Sequence, residues 1–293
     1  MFKKRNTRRF NYKSAVIKRT RPHKKRVLFV KRVRNVFSSK IYIMLGIFLA
    51  SAIGVGYFLF FTNHFLITDI KINSVSESTQ KEIIEYYNKV SQQRKFFILK
   101  QNKTVSFSAR EFEKNILFEL PKIKKIEIKI KMPHTLNMEA QERAQEGIWC
   151  AYAQMEAPQC FFYDSSGIVY EEAPNSVRGS LIKVIRDSRV TTASLGSAVM
   201  SLEILEYVND LIESLGTAYE RPSYILIKNN DEISAGFSLG WEAQFSRGQN
   251  LIESVENLTL ILNEEIGSRI GELLYIDLRL GNKAFYKWQG GAE

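Results

Sequence analysis

The chain has 293 residues, 45% of them apolar, enough for one membrane span plus one or two folded units. Its formal net charge is +11, yet sixteen of the 42 basic residues and none of the acidic ones lie in residues 1–40, which leaves 26 basic against 31 acidic beyond them. The high pI is therefore no argument for nucleic-acid binding by the folded part. Two cysteines and three scattered histidines (His23, His64, His134) are too few for a disulfide scaffold, a thiolate metal centre or a catalytic histidine cluster.

Residues 1–40 read as a basic cytoplasmic tail. Attraction to anionic lipid, ~1 kcal/mol per basic residue near the surface, accounts for it. Nucleic-acid binding is the rival, but no aromatic-interleaved motif accompanies the charge. Residues 41–61, IYIMLGIFLASAIGVGYFLFF, carry no charge. As a helix they extend about 32 Å, matching a hydrocarbon core of roughly 30 Å. Lys31, Arg32, Arg34 and Lys40 flank the segment on one side, and Asp69 is the first charge on the other. The positive-inside rule then puts the N-terminus in the cytoplasm and everything after about residue 65 outside. A cleaved signal peptide is disfavoured: Ala50-Ser51-Ala52 resembles a cleavage site, but forty residues precede the apolar run, which continues to Phe61.

Residues 65–142 predict a β-α-α-β-β unit. Ile70 and Ile72 alternate with Lys71 and Asn73 in a short strand. Thr79-Gln80-Lys81-Glu82 has capping-box spacing, and Ile83, Ile84, Tyr87 and Val90 form the apolar face of the helix it starts. Residues 92–106 are polar around Phe96-Phe97-Ile98-Leu99. Ser108-Ala109-Arg110-Glu111 is a second capping box, followed by a stripe of Phe112, Ile116, Leu117 and Leu120 and a stop at Pro121. Residues 126–131 alternate cleanly as a half-buried strand, Pro133-His134-Thr135 turns the chain, and Leu136, Met138 and Ala140 face one way in the returning strand.

Residues 143–289 predict a larger mixed unit, with 290–293 as a polar tail. A hairpin covers 148–163, with Asp164-Ser165-Ser166-Gly167 as the turn before a strand at 168–170. A short strand follows at 181–185. A helix at 197–215 turns Ile204, Leu205, Val208, Leu211, Ile212 and Leu215 inward and stops at Gly216. Strands follow at 224–228, 233–239 and 241–245. A second helix at 248–266 has Leu251, Ile252, Val255, Leu258, Ile261 and Leu262 inward. The last strands, 273–279 and 284–288, are joined by Leu280-Gly281-Asn282-Lys283, a pattern that suits a hairpin turn. The fold class is α+β behind an N-terminal transmembrane helix.

In this order the chain resembles the FtsQ/DivIB family of bacterial cell-division proteins. The juxtamembrane strand 65–72 (FLITDIKI), Leu120-Pro121 with the strand after it, Pro133-His134-Thr135-Leu136, Glu142-Arg143 with Trp149, the Asp164–Gly167 turn with Val169, and Tyr275-Ile276-Asp277-Leu278-Arg279 each resemble a family motif. Together they span residues 40–288. The resemblance implies a POTRA-type module at 65–142, an FtsQ-type β domain at 143–289, and a bitopic scaffold at the division septum. Such a scaffold binds FtsB/FtsL-type coiled-coil proteins and helps regulate septal peptidoglycan synthesis. The implied mode is strand addition beside the last strands.

The final strand is the first candidate for partner binding, through Phe285, Tyr286, Lys287 and Trp288. Phe285 taken alone reads as edge-strand core packing. Glu142 and Arg143, at the junction of the two external units, are a candidate recruitment surface or, more simply, a salt bridge that sets the interdomain angle. Asp277 and Arg279, two apart on a strand, share a face and read as structural. Cys150 and Cys160 flank the hairpin in a compartment where disulfides persist. A bridge there stabilises by roughly 3 kcal/mol; the alternative is two free thiols. No nucleophile elbow, zinc-protease helix, phosphate loop or spaced metal ligands occur, so no catalytic residue, metal or cofactor is expected. The alternative function is a POTRA-bearing envelope-assembly or transport component, for which several such units or a β-barrel would be expected.

Overall fold

The computed structural model describes residues 24–95, 99–153, 158–174, 182–281 and 283–290, with side chains in the first helix from Lys40 onward. Most of the basic tail, the Phe96-Phe97-Ile98 cluster, Leu181, Asn282 and the last three residues lie outside the described residues. The chain divides into two compact units, Met1–Asn63 and His64–Glu293.

The first unit holds helix α1, Lys24–Phe61. Its stretch Lys40–Phe61 is long and apolar enough to cross a membrane, and none of it is buried. An isolated helix with apolar residues on every side is unstable in water and suited to lipid, where a helix satisfies all backbone groups internally.

The second unit holds two main sheets with separate cores. Strand β1 (Asp69–Asn73) leads to α2 (Glu77–Ser91), the short hairpin β2 (Arg94–Lys95) and β3 (Leu99–Lys100), α3 (Ala109–Glu119), β4 (Ile123–Lys131) and β5 (Thr135–Glu142). The sheet order is β1-β5-β4, with β1 parallel and β4 antiparallel to β5. The parallel pair requires a crossover, which the two helices provide. Ile83, Tyr87, Phe112 and Ile116 from the helices meet Ile126, Leu136 and Met138 from the strands.

Two helix boundaries correct the sequence expectation. α2 starts at Glu77 rather than Thr79. Ser76 is the N-cap, its hydroxyl accepting from the Thr79 N–H, and Thr79 is buried inside the first turn. α3 starts where its capping box predicts, but Ser108 makes no side-chain cap bond. In its stripe Leu117 is 36% exposed and the neighbouring Phe118 is 85% exposed.

The larger sheet contains β6 (Gly147–Ala151), β7 (Gln159–Tyr163), β8 (Val169–Glu172), β9 (Val184–Asp187), β10 (Tyr224–Ile227), β11 (Glu232–Gly236), β12 (Glu242–Ser246), β13 (Leu273–Asp277) and β14 (Phe285–Trp288). Their order is β14-β13-β12-β11-β10-β9-β6-β7-β8. Helices α4 (Leu202–Ala218) and α5 (Leu251–Ile261) cover one face. Leu205, Val208, Leu211 and Leu215 of α4 and Val255 and Leu258 of α5 join Trp149, Ile185, Ile225, Ile233, Trp241 and Phe245 in one core.

Here too the limits of the elements shift. The expected strand at 181–185 is Val184–Asp187. α4 begins five residues later than 197, because the backbone of 197–199 is already hydrogen-bonded to Gly167 and Val169 beside β8. Ser201 then caps it. Gly216 does not stop α4, which runs to Ala218; a Cβ at Gly216 would lie 2.8 Å from Cγ of Arg221, so the glycine permits a close approach instead. α5 ends at Ile261 and widens into a π turn (Leu262–Ile266) and a 3-10 segment (Gly267–Glu272). Ile252, expected inward, is 67% exposed.

These placements separate two residues that periodicity alone treats alike. Leu211→Ala should destabilise the fold by about 2–5 kcal/mol, and Ile252→Ala by within about 0.5 kcal/mol. Urea unfolding midpoints of the two variants check this.

Candidate functional site

A sheet edge carries unpaired backbone N–H and C=O groups and is a template for another strand. The described residues present four main edges. β1 turns Asp69, Lys71 and Asn73 outward. β4 carries Lys124, Lys125, Lys129 and Lys131, and its Ile128 N–H is taken by the Glu113 carboxylate of α3 at 2.7 Å. β8 is four residues long and exposes Glu171 and Glu172. These three carry the charged side chains that discourage pairing. β14 differs: Phe285 is 53% and Tyr286 41% exposed on a strand bonded only to β13.

The register assigns each β14 side chain to a face. Tyr286 sits opposite the core residue Ile276, and Trp288 lies two residues on, so both face the helix-covered side. Trp288 packs against the core, with the Arg269 guanidinium 4.2 Å from its ring and Tyr286 edge-on at 5.5 Å. Phe285 and Lys287, opposite Asp277 and Tyr275, face the open side. The sequence reading of Phe285 as core packing is therefore corrected: Trp288 is the packed anchor, and Phe285 projects into solvent. Gln289 fastens the strand end, its N–H on the Glu272 carbonyl at 2.7 Å and its side-chain amide on the Leu273 carbonyl at 3.0 Å. Behind this edge, Arg279 donates to Asp277 at 2.9 and 2.7 Å and pairs with Glu232 of β11 at 2.9 Å. The Arg279 bonds hold the Asp277 carboxyl below its ordinary range against the opposing effect of burial. They tie the end of β13 back across the sheet.

Glu142 and Arg143 do not pair with each other; the salt bridge at this junction is made by Arg143 alone, to Asp164. Glu142 turns to the N-terminus of α2, accepting from the Ser76 hydroxyl at 2.6 Å and the Ser76 N–H at 3.2 Å. The Ser76 hydroxyl, then that of Thr79, holds the Glu142 carboxyl below its usual range. Arg143 donates from Nε to the Pro121 carbonyl at 2.8 Å and from a terminal nitrogen to Asp164 at 2.6 Å. Asp164 is 1% exposed and also accepts from the N–H groups of Ser166 and Ile168. Burial pushes the Asp164 carboxyl up, but Arg143 and those two N–H groups outweigh it, and the net shift is downward. Arg143 thus joins the end of α3 to the turn between β7 and β8.

Cys150 and Cys160 stand directly opposite on β6 and β7 and form a disulfide on the face away from the main core, beside Ile148 and Ala173. Sequence reasoning missed the Arg269–Trp288 stack and the Arg186 guanidinium held between Tyr152 and Tyr224. Both join residues distant in sequence, and no local pattern announces them. Among the described residues no group of three or more His, Cys, Asp or Glu could hold a metal ion.

The Arg143–Asp164 bridge has a pH consequence. A carboxyl whose pKa is depressed in the fold contributes stability above its unfolded value of about 3.9, and that stability is lost as pH falls through the depressed value. Arg143→Met leaves a buried carboxylate unpaired and should cost about 3–5 kcal/mol at pH 7. That deficit should shrink as the pH falls, because protonation relieves the unpaired buried carboxyl, so urea midpoints of variant and parent should converge between about pH 7 and 3.

No protein-family model matches the chain, and no curated protein matches it.

Proposed function

We propose that this protein is a non-enzymatic, single-pass scaffold of the FtsQ/DivIB type, which holds FtsB/FtsL-type coiled-coil partners at the division septum and so helps regulate septal peptidoglycan synthesis. The observation that carries the proposal is the β14 edge, a short strand with unpaired backbone on one side and two exposed aromatics, Phe285 and Tyr286. Strand addition uses such an edge: backbone hydrogen bonds supply affinity and side-chain contacts supply specificity. Phe285 and Tyr286 flank an added strand from opposite faces, and Lys287 adds a cation on the open face.

Support for a POTRA-type module comes from the β-α-α-β-β order and the β1-β5-β4 sheet. One module followed by a mixed sheet with two helices favours the scaffold over an envelope-assembly or transport component. Support for an N-terminus in the cytoplasm comes from the sixteen basic residues before α1's apolar stretch and none of either sign from Ile41 to Thr68. In this reading the basic tail contacts anionic lipid and no nucleic acid.

Phe285→Ala combined with Tyr286→Ala should weaken binding of an FtsB-type external segment by at least about tenfold, the loss of one or two interface anchors. The melting temperature should change little, because both side chains are exposed. Titration calorimetry checks the first and circular dichroism the second; unchanged affinity would sink the edge assignment. In cells, a fluorescent fusion should form a band at midcell, whereas a uniform envelope signal would favour the assembly or transport reading.

A further inference from the structure

The larger sheet carries a second feature, distinct from its β14 edge. A cleft of about 320 Å³ opens where β9 and β10 begin, between those strands and α4. Its lining includes the apolar side chains of Ile182, Val184, Ile212 and Pro222. Its rim is polar and carries two cations and two carboxylates, Lys183, Arg221, Glu146 and Glu213, for a net charge of zero.

Half of that rim is already committed. Lys183 is paired with Glu146 and donates to Asn209 Oδ1 at 3.0 Å. The other half is not. Among the described residues the Arg221 guanidinium, the Glu213 carboxylate and the Asn209 amide nitrogen have no hydrogen-bond or ion-pair partner, and Arg221 and Glu213 do not pair with each other. The Arg221 stem passes over Gly216, where a Cβ would lie 2.8 Å from its Cγ, and Arg221 lines the cleft. Behind the Glu146–Lys183 wall the fully buried Tyr163 hydroxyl also lacks a partner, beside Gly147. A cleft of this size that combines apolar side chains with uncommitted charged groups suits a small polar ligand with an apolar part.

The charge pattern selects the ligand class. A phosphate or nucleotide would meet two carboxylates and no helix N-terminus, since α4 presents its C-terminal half here. A purely apolar ligand would leave Arg221 and Glu213 desolvated, which is costly. A molecule bearing one carboxylate, one ammonium and a short apolar side chain satisfies all three features. We propose that this cleft binds a zwitterion of the amino-acid class, either a free amino acid or a dipeptide. Arg221 and the Asn209 amide take the carboxylate, as charge-assisted hydrogen bonds. Glu213 takes the ammonium. The apolar lining of Ile182, Val184, Ile212 and Pro222 takes the side chain. This site does not depend on the scaffold reading.

Titration calorimetry on the full chain in detergent micelles tests it, with leucine, alanyl-leucine and the C-amidated form of each as probes. At least one unmodified probe should bind saturably with a Kd of about 1 mM or tighter. Amidation, Arg221→Gln and Glu213→Gln should each weaken it by at least about tenfold. All three changes fall on the ligand or on exposed side chains, so the melting temperature should hold. Binding of leucine alone identifies a free amino acid as the ligand; binding of alanyl-leucine alone identifies a peptide. The proposal is overturned if neither probe saturates up to about 10 mM, if the amides bind as well as the acids, or if Arg221→Gln binds like the parent.

Discussion

The chain crosses from one sheet of the second unit to the other between Glu142, the last residue of β5, and Gly147, the first of β6, and the bonds of Arg143 hold that crossing. Its guanidinium meets the carbonyl at the end of α3 and the buried Asp164 carboxylate in the β7–β8 turn. An ion pair this enclosed adds little stability over an apolar substitute, but losing one partner strands a charge. Its value is geometric: the planar fork fixes where β6 starts relative to Pro121. The Ser194–Ser197 turn then packs Gly196 against the same proline. Once β6 is fixed, parallel pairing with β9 and of β9 with β10 follows, and the rest of the sheet is built outward from there.

At the far end of that construction lies β14. Its pairing with β13 is short, and its last residues are held by Trp288 under Arg269 and by Gln289 on the first residue of β13 and the residue before it. Sheets normally blunt such edges with charge, and β4 and β8 do. An edge that keeps exposed aromatics carries an aggregation hazard unless something covers it. A partner strand covers it in the proposed function.

Much of the fold was legible in the sequence because two signals are local. Period-two alternation marked β1, β4 and β5, and the helical stripes of α2 and α4 marked their buried faces. Non-local bonds hid the rest. Thr79-x-x-Glu82 has the form of a cap, but Glu142, sixty-six residues from Ser76, is the carboxylate that completes the real one at Ser76. Gly216 has the form of a stop, but it makes room for Arg221. Glu142 and Arg143 marked a salt bridge at the junction, but not its partners: the two diverge, one to α2 and the other to Asp164 of the larger sheet. In the last strand, type and position were legible, whereas the division of labour between Phe285 and Trp288 depended on the register with β13.

Backbone hydrogen exchange on the full chain, with and without an FtsB-type external segment, tests the central claim most directly. The account predicts that outward-facing amides of β14 become protected on binding while those of β4 and β8 do not change. Protection confined to β4, or binding with β14 amides still exchanging freely, would contradict it.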